Sequence, residues 1–142
     1  VGLRLDDAEP HLLDTSAYAH FRRGHADVVD LLATAEQLFL SAVTLGELEA
    51  GFILGSRADE NRRALRDFLS EPFVTVVDVS DAVAVRYGAL FASLRRAGTP
   101  VPTNDIWIAS CALHVRAQLI TFDSDFERFV ELDRRVLAAS RP

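Results

Sequence analysis

Five carboxylates sit where the chain could do chemistry. Asp14 closes the short apolar run His11-Leu12-Leu13, and Glu47 lies near the start of a helical stretch. Asp105 falls inside Pro102-Thr103-Asn104-Asp105-Ile106-Trp107-Ile108-Ala109, and Asp123 and Asp125 follow Gln118-Leu119-Ile120-Thr121. Gathered into one partly dry pocket, such groups repel one another unless divalent cations neutralise them. Oxygen-only ligation suits Mg²⁺ or Mn²⁺, and no His or Cys spacing here resembles a zinc site. One or two such ions can activate water and stabilise in-line attack on a phosphodiester. Thr15 and Ser16, at a helix start, and Asn104, beside Asp105, are the candidates for positioning a phosphate.

Composition narrows the alternatives. All fifteen basic residues are arginine, which excludes chemistry that needs an ε-amine, such as phosphate-loop nucleotide hydrolysis or Schiff bases. The net charge of −6 argues against adhesion to nucleic acid through a basic surface, so a polyanionic substrate needs help from bound cations. The lone cysteine, Cys111, leaves no internal disulfide and fits a reducing, cytoplasmic setting. No apolar run reaches the roughly 18 residues of a membrane helix. A soluble protein with no membrane partner is expected.

The elements that must position the acids alternate between short apolar runs and helical stretches. Strands are expected at 11–14, 37–40, 73–77 and 118–121, and helices at 15–23, 25–36, 43–54, 58–70, 81–96 and 104–117. The run Phe73-Val74-Thr75-Val76-Val77 reads as a strand covered on both faces, and the last helix reads as deeply buried. Strands separated by helices imply crossovers. The expected fold is therefore a three-layer α/β/α sandwich with a mainly parallel central sheet, one domain over residues 1–142 after a polar lead-in that ends at Pro10. Ligands of such sheets gather beyond the carboxyl ends of the strands, and the acids stand there.

Each acid also has an ordinary structural reading. Asp14 suits a helix N-cap, and Glu47 stands three residues after Thr44 as in a capping box. Asp105 would complement a helix dipole after a Thr103 or Asn104 cap, and Asp123 and Asp125 suit a turn. What favours chemistry is the joint placement of acids from distant segments at one sheet edge. His20 and His25 fall on helical segments without a supporting acid pattern, packing explains Cys111, and the runs Arg22-Arg23, Arg62-Arg63-Arg66 and Arg95-Arg96 could contact phosphates but read mainly as solvated surface.

The order and spacing of Leu12-Leu13-Asp14-Thr15-Ser16, Glu47-Leu48-x-x-Gly51, Thr103-Asn104-Asp105-Ile106-Trp107-Ile108-Ala109 and Leu119-Ile120-Thr121-Phe122-Asp123-Ser124-Asp125-Phe126 resemble PIN-domain ribonucleases of the VapC toxin type over nearly the whole chain. The resemblance implies an Mg²⁺- or Mn²⁺-dependent endoribonuclease with metal-binding acids at Asp14, Glu47, Asp105 and Asp123. Asp125 is the alternative fourth acid, since the family often has asparagine at the position equated with Asp123. Glu49 is turned about 200° from Glu47 around the helix and falls outside the set. Also implied are an RNA substrate, homodimers, and a VapB-type antitoxin whose tail occupies the acidic groove of a toxin–antitoxin hetero-oligomer. The lead-in 1–10 departs from the pattern, in which the first strand generally opens the chain. Two other readings stay open: a phosphatase with Asp14 as nucleophile, although Ser16 stands where such enzymes usually carry a second acid, and an inactive protein-binding module of the same fold.

Overall fold

The computed structural model describes residues 9–139, so most of the lead-in, through residue 8, lies outside the described residues. The order is β1 (His11–Leu13), α1 (Thr15–Arg22), α2 (Ala26–Thr34), β2 (Leu38–Ser41), α3 (Ala42–Leu54), α4 (Ala58–Leu69), β3 (Val74–Val77), α5 (Asp81–Ala97), α6 (Thr103–Val115), β4 (Gln118–Thr121), a 3₁₀ turn Ser124–Arg128, and β5 (Arg134–Val136). The strands form one sheet in the order β3-β2-β1-β4-β5, and every neighbouring pair is parallel. No helix among the described residues is long and apolar enough to cross a membrane.

Adjacent strand residues point to opposite faces, so a strand covered on both faces sends apolar side chains into two cores. β1 does this: Leu12 joins Phe39 and Leu119 in the core under α5 and α6, while Leu13 joins Leu38, Leu40 and Ile120 in the core shared with α1, α3 and α4. This is the expected three-layer sandwich. α6 presses Ile106, Ile108, Ala109, Cys111 and Ala112 into the first of these cores, all buried.

Three details differ from the sequence reading. β3 is an edge strand whose Thr75 and Val76 are exposed, so its β-branched run reflects strand propensity rather than cover on both faces. A fifth strand, Arg134–Val136, completes the other edge; three residues with two arginines give no apolar run to read. Ser41, not Thr44, caps α3, its hydroxyl accepting the Thr44 N–H at 3.0 Å. Thr44 is therefore at the third helical position, and Glu47 is not part of a capping box.

The chain crosses from β1 to β2 and β3 on one side, then returns to place β4 on the other side of β1. Strand order reverses between β1 and β4, which opens a crevice beyond their carboxyl ends. Leu13 is in register with Ile120, so Asp14 and Thr121 come out of the sheet side by side.

Ser41 is fully buried, and replacing it with alanine removes the cap that starts α3 beside the crevice. Ser41→Ala is expected to cost about 1 kcal/mol of unfolding free energy. Urea titration of the two proteins checks this; equal midpoints would contradict it.

Candidate metal and nuclease site

The crevice is a pocket of about 410 Å³ whose walls include Asp14, Glu47, Asp105 and Asp123. Four segments supply these acids: the end of β1, the middle of α3, the first turn of α6, and the residues after β4.

Asp14 is nearly fully buried, and its carboxylate is held from three directions. Oδ1 accepts the Ser16 hydroxyl at 2.7 Å and the Ala17 N–H at 2.8 Å, and Oδ2 accepts the Thr121 hydroxyl at 2.5 Å. Asp14 is thus the N-cap of α1 as well as a pocket wall. Burial pushes its pKa up, and the bonds from Thr121, Ala17 and Ser16 only partly offset this.

Two hydroxyls tie the loop after β4 to Asp14. Thr121 Oγ1 accepts the Asp123 N–H at 2.9 Å while donating to Asp14, and Ser16 Oγ accepts the Phe122 N–H at 3.0 Å while donating to the same carboxylate. Asp123 in turn caps the 3₁₀ turn, accepting the Asp125 N–H at 2.9 Å. Thr15 points its hydroxyl at Glu47 Oε1, 2.6 Å away, and so fixes an α3 side chain from α1. Thr15 and Ser16 therefore orient acids, and neither hydroxyl is left as a free phosphate donor. Asn104 is exposed in the first turn of α6 and is not among the residues lining the pocket.

Asp105 differs from the others. α6 has no side-chain cap bond, and no hydrogen bond or ion pair to the Asp105 carboxylate forms among the described residues. Burial, then the charges of Asp123, Glu47, Asp14 and Asp125, push its pKa up to about 7. Carboxylate oxygens of Asp105, Asp123 and Asp125 lie within 4.8 Å of one another. That spacing suits one cation shared among hard oxygen donors, as Mg²⁺ or Mn²⁺ requires. Asp125 also faces the Arg128 guanidinium at 3.9 Å, which partly offsets its charge. Glu49 is outside the group, paired with Arg62 Nε at 3.0 Å on the outer side of α3.

Thr121 is the orienting residue the sequence reading omitted; its position beside Asp14 follows from strand register, which composition does not reveal. His20 and Arg23, which the sequence alone gives little weight, both line the acidic pocket. Cys111 is fully buried, and burial raises its thiol to about 11, in keeping with packing rather than nucleophilic chemistry. A larger concavity of about 660 Å³ lies between α1, α2 and α4, walled by Phe21, Val29, Leu32 and Phe68. Its acids, Glu60, Asp67 and Glu71, are exposed on the rim, where water screens them, unlike the half-buried acids of the smaller pocket.

The profile of the PIN domain family matches residues 11–132. The chain is 29% identical over 127 residues to ribonuclease VapC1 of Haemophilus influenzae strain R2866, covering 86% of this chain and 93% of that protein. It is 29% identical over the same length to ribonuclease VapC2 of Rickettsia felis, with the same shares covered. Among solved structures, VapBC2 from Rickettsia felis bound to a DNA fragment from its promoter superposes with a TM-score of 0.79 at 26% identity, covering 89% of this chain and 98% of that one.

The raised Asp105 pKa sets a pH dependence. Between about 3.8, where an unperturbed Asp titrates, and about 7, the folded metal-free protein holds a proton that the unfolded chain has released. Folded protein thus binds more protons, and its stability falls as pH rises through that window. Asp14 shifts in the same direction. In chelator, Asp105→Asn is expected to flatten this fall, read from urea midpoints across the pH range. An unchanged slope would show that Asp105 titrates normally.

Proposed function

The chain belongs to the PIN-domain family, and from that premise we propose that it is a divalent-metal-dependent endoribonuclease, the toxin of a toxin–antitoxin pair. The observation that carries the reading is the close approach of Asp105, Asp123 and Asp125 with no protein cation bound to Asp105. Helix capping accounts for Asp14 and Asp123 but for neither Glu47 nor Asp105, so the structural explanation covers only part of the pocket. Relatives named as ribonucleases supply the substrate class.

In this reading Asp14, Glu47, Asp105 and Asp123 hold Mg²⁺ or Mn²⁺, with Asp125 as a further or alternative ligand. When bound, the ion supplies activation of water and neutralisation of charge on the phosphate being cut. The protein's own residues do the positioning. Ser16 and Thr121 fix the plane of the Asp14 carboxylate and bring the Asp123 loop against it, and Thr15 aims Glu47 into the pocket. The net charge of −6 leaves little general attraction for RNA, so affinity must come from the site itself.

One PIN-like unit spanning 1–142 belongs to this reading, as do a cytoplasmic location, homodimers and a VapB-type antitoxin. The apolar groove beside Phe21 and Phe68 offers such a partner a surface, and the structural neighbour from Rickettsia felis is described as a VapBC assembly on promoter DNA. A phosphatase with Asp14 as nucleophile fits poorly: the side chain is 4% exposed and both oxygens already accept hydrogen bonds.

Incubation of the purified protein with structured RNA is expected to give internal cleavage that needs Mg²⁺ or Mn²⁺ and stops with chelator. Asp14→Ala and Asp105→Ala should each lower the rate by at least about 100-fold. Cleavage that survives chelation or either substitution would overturn the mechanism. Thr15→Val should lower the rate by about 10–100-fold through loss of Glu47 orientation, with the unfolding midpoint little changed. Full activity in Thr15→Val would remove Glu47 orientation from the account.

A further inference from the structure

One face of α1 forms a wall of the acidic pocket and carries, in order, Ser16, Ala19, His20 and Arg23. Its first turn holds acids in place through Thr15 and Ser16; its last turn offers positive charge. Arg22 and Arg23 are neighbours but diverge, Arg22 lining the apolar groove and Arg23 the acidic pocket. Cations are favoured at this helix end by the dipole, which accounts for a charge there but not for its facing the pocket.

Arg23 lines a pocket of four carboxylates and pairs with none of them. The ion pairs among the described residues use Arg62, Arg128 and Arg134, and no carboxylate lies within 4.0 Å of Arg23. Arg23 is exposed, and a guanidinium paired with no carboxylate has its planar donor fork available for another anion. His20, one turn before it, is held rigidly: Nδ1 lies 2.9 Å from the Ser16 carbonyl, and its ring stacks on Phe122 at 3.8 Å with planes 13° apart. A carbonyl only accepts, so Nδ1 carries the hydrogen. His25 closes the cluster edge-on to both rings. The stack braces the last turn of α1 against the loop that carries Asp123, which fixes where the Arg23 backbone stands relative to that loop.

We propose that Arg23 is a substrate-positioning residue that grips an RNA phosphate flanking the one cut, and that the His20–Phe122 stack holds it at its distance from the acids. The Arg23 backbone lies about 12 Å along the helix axis from Thr15, at 1.5 Å per residue, far enough for its side chain to meet a phosphate next to the one the acids hold. The acids and their ions take one phosphate and Arg23 takes its neighbour. A chain with a net charge of −6 thus acquires one local, directed contact for a polyanion.

This inference rests on the ribonuclease reading, and the test separates the two. Cleavage of a short oligoribonucleotide is followed across a salt series for the unaltered protein, Arg23→Ala and Arg23→Lys. Arg23→Ala is expected to raise KM about tenfold or more with kcat changed far less. The slope of log(1/KM) against log[salt] should fall by about 0.7 for one lost phosphate contact on a single strand. Arg23→Lys should recover the slope but only part of the KM, because it keeps the charge and loses the fork. The rise in melting temperature on adding Mn²⁺ should match in all three proteins, which shows an intact acid site. His20→Phe, which keeps a ring on Phe122, should leave KM within about threefold, whereas His20→Ala should approach Arg23→Ala. Metal-dependent cleavage with unchanged KM and slope in Arg23→Ala would overturn this proposal and leave the nuclease reading standing. No cleavage by the unaltered protein with either ion would bring down both.

Discussion

Mutual repulsion among carboxylates confined to one half-buried pocket is the constraint from which the local architecture follows. In a medium of low effective dielectric, like charges a few ångströms apart raise each other's pKa or draw in cations. Asp105 registers this most clearly, held up to about 7 by burial and by four neighbouring acids. Asp14 is more deeply buried but has three donors around it, which lessen the penalty without removing it. The protein therefore maintains a strained electrostatic arrangement by investing hydroxyls and a helix N-terminus in it. Asp105 itself has no arginine within ion-pair distance among the described residues.

The sheet topology makes the arrangement possible. Strand order reverses at β1, so the chain leaves β1 and β4 toward opposite sides and opens the crevice that α3 and α6 help to wall. Parallel register places Asp14 beside Thr121, and the hydroxyls of Thr121 and Ser16 convert that adjacency into a fixed geometry. The two apolar cores on either side of the sheet make the platform stiff. Precision at the site comes from residues that would not themselves touch an ion.

Much of this is legible in the sequence, for a physical reason. Strands covered on both faces carry consecutive apolar residues, so Leu12-Leu13 and Leu119-Ile120 stand out, and an acid just after such a run is positioned by the strand itself. What was not legible depends on partners far away in sequence. The β-branched run of β3 cannot state whether a neighbour covers it, and its Thr75 and Val76 are exposed. Thr44 and Glu47 have the spacing of a capping box, but Ser41 lies at the strand end and takes the cap first. β5 has no apolar run, because it pairs as a short edge and buries little. Thr121, His20 and Arg23 gain their meaning only from register and helix facing.

The central claim is that these acids form a divalent-cation site. Calorimetric titration with Mn²⁺ near neutral pH tests it most directly, because an ion entering the pocket competes with protonation of Asp105, which burial and the neighbouring acids favour. Saturable binding is expected, with a heat that varies with the ionisation enthalpy of the buffer, and with binding lost in Asp105→Asn and weakened in Asp123→Asn. Heats no larger than dilution, or Mn²⁺ binding indifferent to both substitutions, would contradict the account.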